Sequence, residues 1–181
     1  MSDEFRMRLA GSIEEGPGRP NSFSPSDVAA WLAAADSRPV RLELKSEGGN
    51  VGAAHEIATL LALHPAGVRV RAVGPCDSGA LLLLCAGARR EADPAATFHL
   101  HRITIATAAP MSAPRLRASA DEIEAQEGVY VTFLAARCGL PPETVAAWMN
   151  DERTLTAAEA LAFVLVERIV DDAMAVDWRA A

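Results

Sequence analysis

Ser78 and His101 stand 23 positions apart in this chain, and each lies at one end of an apolar stretch. A serine hydroxyl becomes a nucleophile when an imidazole takes its proton, and a carboxylate usually orients that imidazole. Candidate carboxylates are Asp151 and Glu152, which come shortly before an alanine-rich segment near the C-terminus. Together these residue types support acyl transfer through a hydroxyl nucleophile.

Three glycines could stabilise the oxyanion that such a reaction forms, because an oxyanion needs backbone N–H donors. Gly79 follows Ser78 at the start of an apolar run, where the unpaired N–H groups and the dipole of a helix favour negative charge. Gly48 and Gly49 lie between a strand pattern and a helix pattern. Glycine lets the backbone come close to a ligand. We therefore expect these three residues to form an oxyanion hole.

Each candidate also has a plain structural interpretation. Ser78 could be an ordinary N-cap, the glycine pair an ordinary turn, and the acidic pair a solvated turn that caps the next helix. His99 and His101 could be structural histidines, although two residues of equal parity on a strand face the same way. His55 and His64 fall on a predicted helix face, and we expect both to be structural.

The surrounding pattern predicts strands that alternate with helices. Alternating apolar and charged residues predict strands at 5–10, 40–44, 68–73 and 97–100. Apolar periodicity and start signals predict helices at 28–35, 51–63, 78–88, 116–138, from 141 onward and at 156–163, with a loop at 102–114. This order predicts an α/β fold with a largely parallel sheet and crossover helices. Ser78 and His101 then follow the carboxyl ends of strands, where sites usually form.

The length, charge and cysteine content of the chain exclude several classes of protein. The 181 residues predict a single domain, 1–181, and the net charge of −7 argues against nucleic-acid binding. The three cysteines have no ligand spacing, which predicts no disulfide framework, no metal site and buried thiols in a reducing compartment. The apolar run 79–88 is too short to cross a membrane, and the polar, acidic start is unlike a signal peptide. We therefore expect a cytoplasmic protein.

Five segments, in this order, resemble the Clp protease proteolytic subunit family. They look closest to its phage-type relatives, the Clp-related head maturation proteases. The segments are Lys45–Gly49, Gly74–Gly79, Leu81–Gly87, His99–His101 and Glu152–Ala160. The likeness runs from about Phe5 to Asp171. It implies a ClpP/crotonase-like β-α spiral with a mostly parallel sheet and a C-terminal helical handle region, in which helix 116–138 joins subunits.

The resemblance implies a serine endopeptidase that acts on protein or peptide substrates. Ser78 would be the nucleophile, His101 the base and Glu152 (or Asp151) the orienter, and no metal or other cofactor would be needed. Gly79 and one glycine of the 48–49 pair would form the oxyanion hole. A homo-oligomer, as a ring, is expected. An ATP-dependent unfoldase partner is disfavoured, because the chain begins almost at its first strand and lacks the family's extra N-terminal segment.

Several residues depart from the family pattern and leave two alternatives open. Asp77 precedes the nucleophile, Arg102 follows the histidine, Glu47 replaces a proline, and Glu152 stands where aspartate is usual. One alternative is a catalytically degenerate, structural Clp-like subunit. The other is a crotonase-type acyl-CoA enzyme, which would use backbone N–H groups around a thioester oxygen and would not need the Ser–His pair.

Overall fold

The computed structural model describes residues 4–17, 19–105 and 110–171. In chain order its elements are β1 (Phe5–Ala10), β2 (Ser12–Ile13), β3 (Ser22–Phe23), α1 (Pro25–Ala35), β4 (Val40–Ser46), α2 (Val51–Leu63), β5 (Val68–Cys76), α3 (Ala80–Ala86), β6 (Arg89–Ala92), β7 (Thr97–His99), α4 (Ala113–Cys138), α5 (Pro142–Asn150), β8 (Thr154–Thr156), α6 (Ala157–Ala162) and β9 (Arg168–Ile169). Helices connect most of the strands, as an α/β fold requires.

The main sheet is parallel along the order β1-β4-β5-β6-β9. Strand β7 pairs with the far end of β5 and with β8, and the β7–β8 pairing is antiparallel. The predicted α/β class with a mostly parallel sheet is confirmed. Because β7 pairs with the carboxyl end of β5 and β8 pairs with β7, the Ser78 turn, the segment after β7 and the segment before β8 are brought to one region.

Local sequence signals explain the element boundaries. Ser24 caps α1 in a capping box with Asp27: the Ser24 Oγ accepts the Asp27 N–H, and the Asp27 carboxylate accepts the Ser24 N–H. Asn50 caps α2, since its Oδ1 accepts the Ala53 N–H at 2.8 Å. Helix α2 has the bounds that the sequence pattern predicted. The Asn50 cap fixes the point at which the Gly48-Gly49 turn ends and α2 begins.

Strand β5 contains a bulge that shapes the site. Leu44 of β4 pairs with Ala72, but Ser46 pairs with Cys76, so β5 advances four residues while β4 advances two. The extra length includes Gly74-Pro75, and proline has no N–H to give to a ladder. The bulge brings Cys76 level with Ser46, and the turn that carries Ser78 therefore begins next to the Gly48-Gly49 turn.

Some sequence expectations need correction. Strands β2, β3, β6, β8 and β9 were not predicted. Helix α3 is shorter than the predicted 78–88, because Ser78 has a left-handed backbone, Gly79 is the N-cap and Gly87 ends the helix. Helix α4 begins three residues before the predicted start. Of the predicted loop 102–114, residues 106–109 lie outside the described residues.

The core joins the sheet to the flanking helices. All seven residues of α3 are buried, as the apolar sequence predicted, and so are the three cysteines. The thiols carry no disulfide. Within the described part of the chain, no helix has the length and apolar character needed to cross a membrane.

Candidate active site

The turn between β5 and α3 holds Ser78 in an uncommon conformation. Its φ of 52° lies in the left-handed region that non-glycine residues seldom adopt. The Ser78 N–H donates to the His99 carbonyl oxygen at 2.9 Å, and the Ser78 carbonyl oxygen accepts the Tyr130 hydroxyl at 3.0 Å. Gly79, rather than Ser78, is the N-cap of α3, so the N-cap interpretation of Ser78 is wrong. Contacts from β7 and α4 therefore fix the turn.

The Gly79 N–H is the donor left over at the start of α3. The next three N–H groups bond to carbonyl oxygens three residues back: Ala80 to Asp77, Leu81 to Ser78 and Leu82 to Gly79, at 2.9–3.1 Å. Among the described residues, the Gly79 N–H has no hydrogen-bond acceptor. It follows Ser78 directly, which is the position that an oxyanion donor needs.

The second glycine turn packs against the first. Gly48 and Gly49 have φ values of 92° and 146°. A Cβ on Gly48 would lie 3.0 Å from the Gly79 nitrogen. The Gly48 N–H donates to the buried Ser46 Oγ at 3.1 Å, so in this conformation it is engaged within its own turn. The exposed Gly49 has an N–H with no acceptor in the described part of the chain.

Asp77 supports the backbone around the serine. Its Oδ1 accepts the His99 N–H at 2.8 Å, and its own N–H donates to the Ser46 carbonyl oxygen at 2.9 Å. Burial raises the pKa of the Asp77 carboxyl, and the hydrogen bond from His99 opposes that shift. The carboxylate therefore ties the turn to β7, which gives this departure from the family pattern a structural role.

The two histidines face the same way, as their parity predicted. Their rings stack with centroids 5.5 Å apart, and the His99 Nδ1 lies 2.9 Å from the Thr154 Oγ1. The His101 Nδ1 lies 2.7 Å from the Arg102 carbonyl oxygen. A carbonyl can only accept, so Nδ1 carries a proton in this contact, and in the neutral ring Nε2 is then the nitrogen with the free lone pair. Within the described residues, no hydrogen bond joins the Ser78 Oγ to the His101 ring.

Asp151 and Glu152 are both exposed just after α5, and Glu152 has a φ of 49°. The Cα partners between β7 and β8 are Thr97 with Thr156, Phe98 with Leu155 and His99 with Thr154. The Leu100 N–H donates to the Arg153 carbonyl oxygen at 2.9 Å, so the pairing continues past the strands. If the same register continued by one more step, Glu152 would stand opposite His101, although the Glu152 N–H itself donates to the Met149 carbonyl oxygen. Opposite residues in antiparallel pairs lie close, so the register favours Glu152 over Asp151.

The comparisons with known proteins agree with this architecture. The Clp protease family model matches residues 26–173. The chain belongs to the Clp protease family. It is 30% identical to ATP-dependent Clp protease proteolytic subunit 3 of Rhodococcus jostii over 92% of this chain and 82% of the relative. It is 28% identical to subunit 2 of Thermobifida fusca over 77% and 69% of the two chains. It is 29% identical to the proteolytic subunit of Dehalococcoides mccartyi over 74% and 66%.

Membership of the Clp protease family confirms the family that the five segments indicated. The closer likeness to phage-type head maturation proteases stays a prediction. So do the roles of Ser78, His101 and the acidic pair. The structure brings the Ser78 turn, the Gly48-Gly49 turn and the β7 end into direct contact. It leaves Asp151 and Glu152 with exposed side chains that make no hydrogen bond to His101 within the described residues.

Two residues of α4 that the sequence analysis missed also reach this Clp-family site. Tyr130 is bonded to Ser78, and Glu127 holds the segment after His101. The Glu127 Oε1 accepts from the Arg102 Nε at 2.9 Å and from the Ile103 N–H at 2.8 Å, and its Oε2 pairs with Arg102 at 2.6 Å. Glu127 stands among other acidic residues of a polar helix. Only its three-residue spacing from Tyr130, which puts both on one helix face, could have singled it out.

Proposed function

We propose that this chain is a serine endopeptidase of the Clp proteolytic-subunit type. The observation that carries the proposal is the hydrogen bond from the Ser78 N–H to the His99 carbonyl oxygen, at 2.9 Å. It joins the strained serine turn to the strand end two residues before His101. Acyl transfer needs a hydroxyl, an imidazole and an oxyanion donor. Ser78 in its left-handed turn, His101 beyond the adjoining strand end and the Gly79 N–H, which has no acceptor among the described residues, could supply them.

In the proposed reaction, the Ser78 Oγ attacks the carbonyl carbon of the peptide while the His101 Nε2 takes the hydroxyl proton. The tetrahedral oxyanion accepts from the Gly79 N–H. Collapse breaks the C–N bond, and the imidazolium returns the proton to the departing amine. Water then attacks the acyl-serine ester, again with His101 as base, and releases the acid and the free serine. These steps need neither a metal nor another cofactor.

The second oxyanion donor comes from the Gly48-Gly49 turn. The Gly49 N–H has no acceptor among the described residues and is free to act as this donor, whereas the Gly48 N–H must first leave the Ser46 Oγ. Glu152 (or Asp151) is the carboxylate that stabilises the imidazolium. The β7–β8 register supports Glu152. The Nδ1 contact with the Arg102 carbonyl already selects the tautomer, so the carboxylate acts mainly through its charge.

A groove next to the glycine turn suits an extended peptide. The cavity, of about 500 Å³, lies between residues 49–52, residues 103–105 and α4. Its lining includes Gly49 on one side and Ile103, two residues after His101, on the other. A substrate chain in this groove would run between the Gly49 turn and the segment that follows His101, which supports protein or peptide as the substrate class.

A catalytically degenerate subunit is the second candidate. Two observations favour it: the Gly48 N–H is engaged by Ser46, and within the described residues the Ser78 Oγ has no bond to His101. If the protein is an active endopeptidase, the Gly48–Ser46 bond breaks and the Ser78–His101 bond forms when substrate binds or subunits assemble, because catalytic hydrogen bonds often form fully only in the complex. If it is a degenerate subunit, the arrangement seen here persists.

Labelling with a fluorophosphonate probe separates the two candidates. The proposal expects covalent labelling of the wild-type protein, loss of the label in Ser78→Ala and full labelling in the control Ser37→Ala, which changes an exposed serine outside the site. Mass spectrometry places the adduct on Ser78. Absence of labelling in a folded, assembled wild-type protein overturns the endopeptidase and supports the degenerate subunit.

We also propose that the protein forms a homo-oligomer through α4. Leu116 and Val129 of this helix are 50% and 56% exposed, which leaves apolar surface for a neighbouring subunit. The relatives' names describe ATP-dependent proteases. The expectation that an ATP-dependent unfoldase is a disfavoured partner of this chain stays a prediction. The same holds for the expected cytoplasmic location.

A further inference from the structure

Glu127 is a buried carboxylate whose contacts all lead to the segment after His101. It is 8% exposed, although most of its helix turn is open to solvent. Both of its oxygens pair with the Arg102 guanidinium, and Oε1 also accepts the Ile103 N–H. Bidentate arginine–carboxylate pairs are strong and geometrically specific. The backbone of residues 102–103 is therefore fixed relative to α4.

The contacts of Glu127 with residues 102–103 affect His101 through the backbone of the next residue, Arg102. The carbonyl oxygen that accepts the His101 Nδ1–H belongs to Arg102, and the guanidinium of Arg102 also donates to the Asn150 Oδ1 at 3.0 Å. The side chain of Arg102 is thus anchored to α4 and α5, and its carbonyl is held against the imidazole. A shift of this residue would turn the carbonyl away from Nδ1 and free the ring.

We propose that Glu127 is a positioning residue for His101. Through Arg102 and the Ile103 N–H it holds the Arg102 carbonyl at Nδ1, which keeps the proton on Nδ1 and the base function on Nε2. The role in catalysis rests on the proposed serine endopeptidase. Arg102 then supports the base, whereas the alternative of a degenerate subunit takes it as a mark of lost activity.

A simpler role for Glu127 would be to pin the loop to α4 for stability. The two roles differ in what happens to the imidazole. A structural pin lowers the melting temperature and leaves the His101 tautomer unchanged, whereas a positioning residue changes the tautomer population as well. A readout of the ring nitrogens therefore distinguishes them.

The first measurement is ¹⁵N NMR of histidine-labelled protein. The chain has four histidines, so the ring signals can be assigned with single His→Gln variants. We expect His101 to be the Nδ1–H tautomer in wild-type protein and a mixture of tautomers in Glu127→Gln and in Arg102→Met. Arg102→Lys, which keeps a cation beside Glu127, should restore part of the wild-type signal. This readout does not depend on catalysis, so it decides the positioning role even if fluorophosphonate fails to label Ser78.

The second measurement is the rate constant of fluorophosphonate labelling. We expect Glu127→Gln and Arg102→Met each to lower it about tenfold, since a misplacement of about 1 Å can cost up to roughly a hundredfold. The double variant should lose no more than either single one, because the two residues act as one unit. Glu124→Gln, an exposed carboxylate on the same helix, is the control and should react as wild type.

An unchanged His101 tautomer in Glu127→Gln overturns the proposal, and so does a double variant whose loss is the product of the two single losses. If Glu127→Gln does not fold, Arg102→Met gives the same test, because more than half of that side chain is exposed. If wild-type protein is not labelled, the endopeptidase proposal is overturned. The His101 tautomer then still decides whether Glu127 positions the ring.

Discussion

Gly48 lies so close to Ser78 that a methyl group on its Cα would be 2.8 Å from the Ser78 Cβ. The same methyl would be 2.9 Å from the Asp77 carbonyl oxygen. Side-chain carbons do not approach other atoms this closely, and the φ of 92° at Gly48 is itself unfavourable for other residues. Contact between the two turns therefore depends on the absence of a side chain at residue 48.

Gly48→Ala should disable the site. Both the left-handed φ and the contact with Ser78 force the backbone to move, so we expect a stability loss of about 1–3 kcal/mol and a fluorophosphonate labelling rate lower by about a hundredfold or more. Thermal melting and labelling kinetics measure the two effects. Gly16→Ala is the matched control, since nothing lies within 4 Å of its added methyl group. Wild-type labelling by Gly48→Ala would show that the turns need not touch.

Glu152→Gln should slow the reaction more than Asp151→Asn. Extension of the β7–β8 register past Leu100 and Arg153 would place Glu152 opposite His101, whereas Asp151 is the C-cap of α5. We expect a loss of about tenfold for Glu152→Gln, well below the roughly 10⁴-fold typical of a triad carboxylate, because the Arg102 carbonyl already holds the tautomer. Labelling rates of both variants give the comparison. A larger loss in Asp151→Asn would transfer the role to Asp151.

Asp77→Asn should stabilise the protein at neutral pH. Burial raises the pKa of this carboxyl, so the folded state disfavours its charge, and wild-type stability falls as pH rises through the raised pKa. Asparagine keeps an acceptor for the His99 N–H without the charge. Melting temperatures should show a gain at pH 7 that shrinks as the pH falls toward about 4, the ordinary value for aspartate. A destabilised variant at pH 7 would show that the charge strengthens the bond to His99.

Val129→Glu should break the assembly. Val129 is 56% exposed on α4, and a charge placed in an apolar interface is left without a partner. Light scattering at micromolar concentration should show an oligomer for wild-type protein and smaller species for the variant, with a lower labelling rate. Leu63→Glu, at the exposed end of α2, is the control and should assemble normally. A wild-type monomer that still cleaves peptide would contradict both the oligomer and its link to the site.

The sequence predicted those elements whose apolar pattern is strong. Helix α2 lies between the N-cap Asn50 and the His64-Pro65 stop, and its bounds were correct. Strand β6 was missed, because its Arg90 and Glu91 look like solvent-exposed residues in sequence. In the structure both are buried, and each is paired with a charged residue from the region of β9: Arg90 with Glu167 and Glu91 with Arg168. Burial through paired charges leaves no apolar periodicity to detect.

The candidate site was predictable where motifs and strand ends coincide. Ser78, the glycines and the histidines were proposed in this way, and the structure brings the segments that carry them together. Glu127 was not, since its burial depends on Arg102, 25 residues earlier in the chain. The engagement of the Gly48 N–H by Ser46 was missed too, because a side-chain rotamer decides it. Both depend on tertiary geometry that no local pattern encodes.

The bulge in β5 restricts how the length of this chain can vary. Leu44 faces Ala72 and Ser46 faces Cys76, so β5 uses two residues more than β4 to reach the serine turn. A deletion of Gly74-Pro75 would restore an even ladder and draw Ser78 back by about 7 Å, at roughly 3.3 Å per strand residue. The core pairing would survive this deletion while the serine lost the glycine turn beside it. Gene shuffling or loop-trimming experiments should therefore leave this stretch of β5 at its present length, even though a two-residue gap there would look harmless in an alignment.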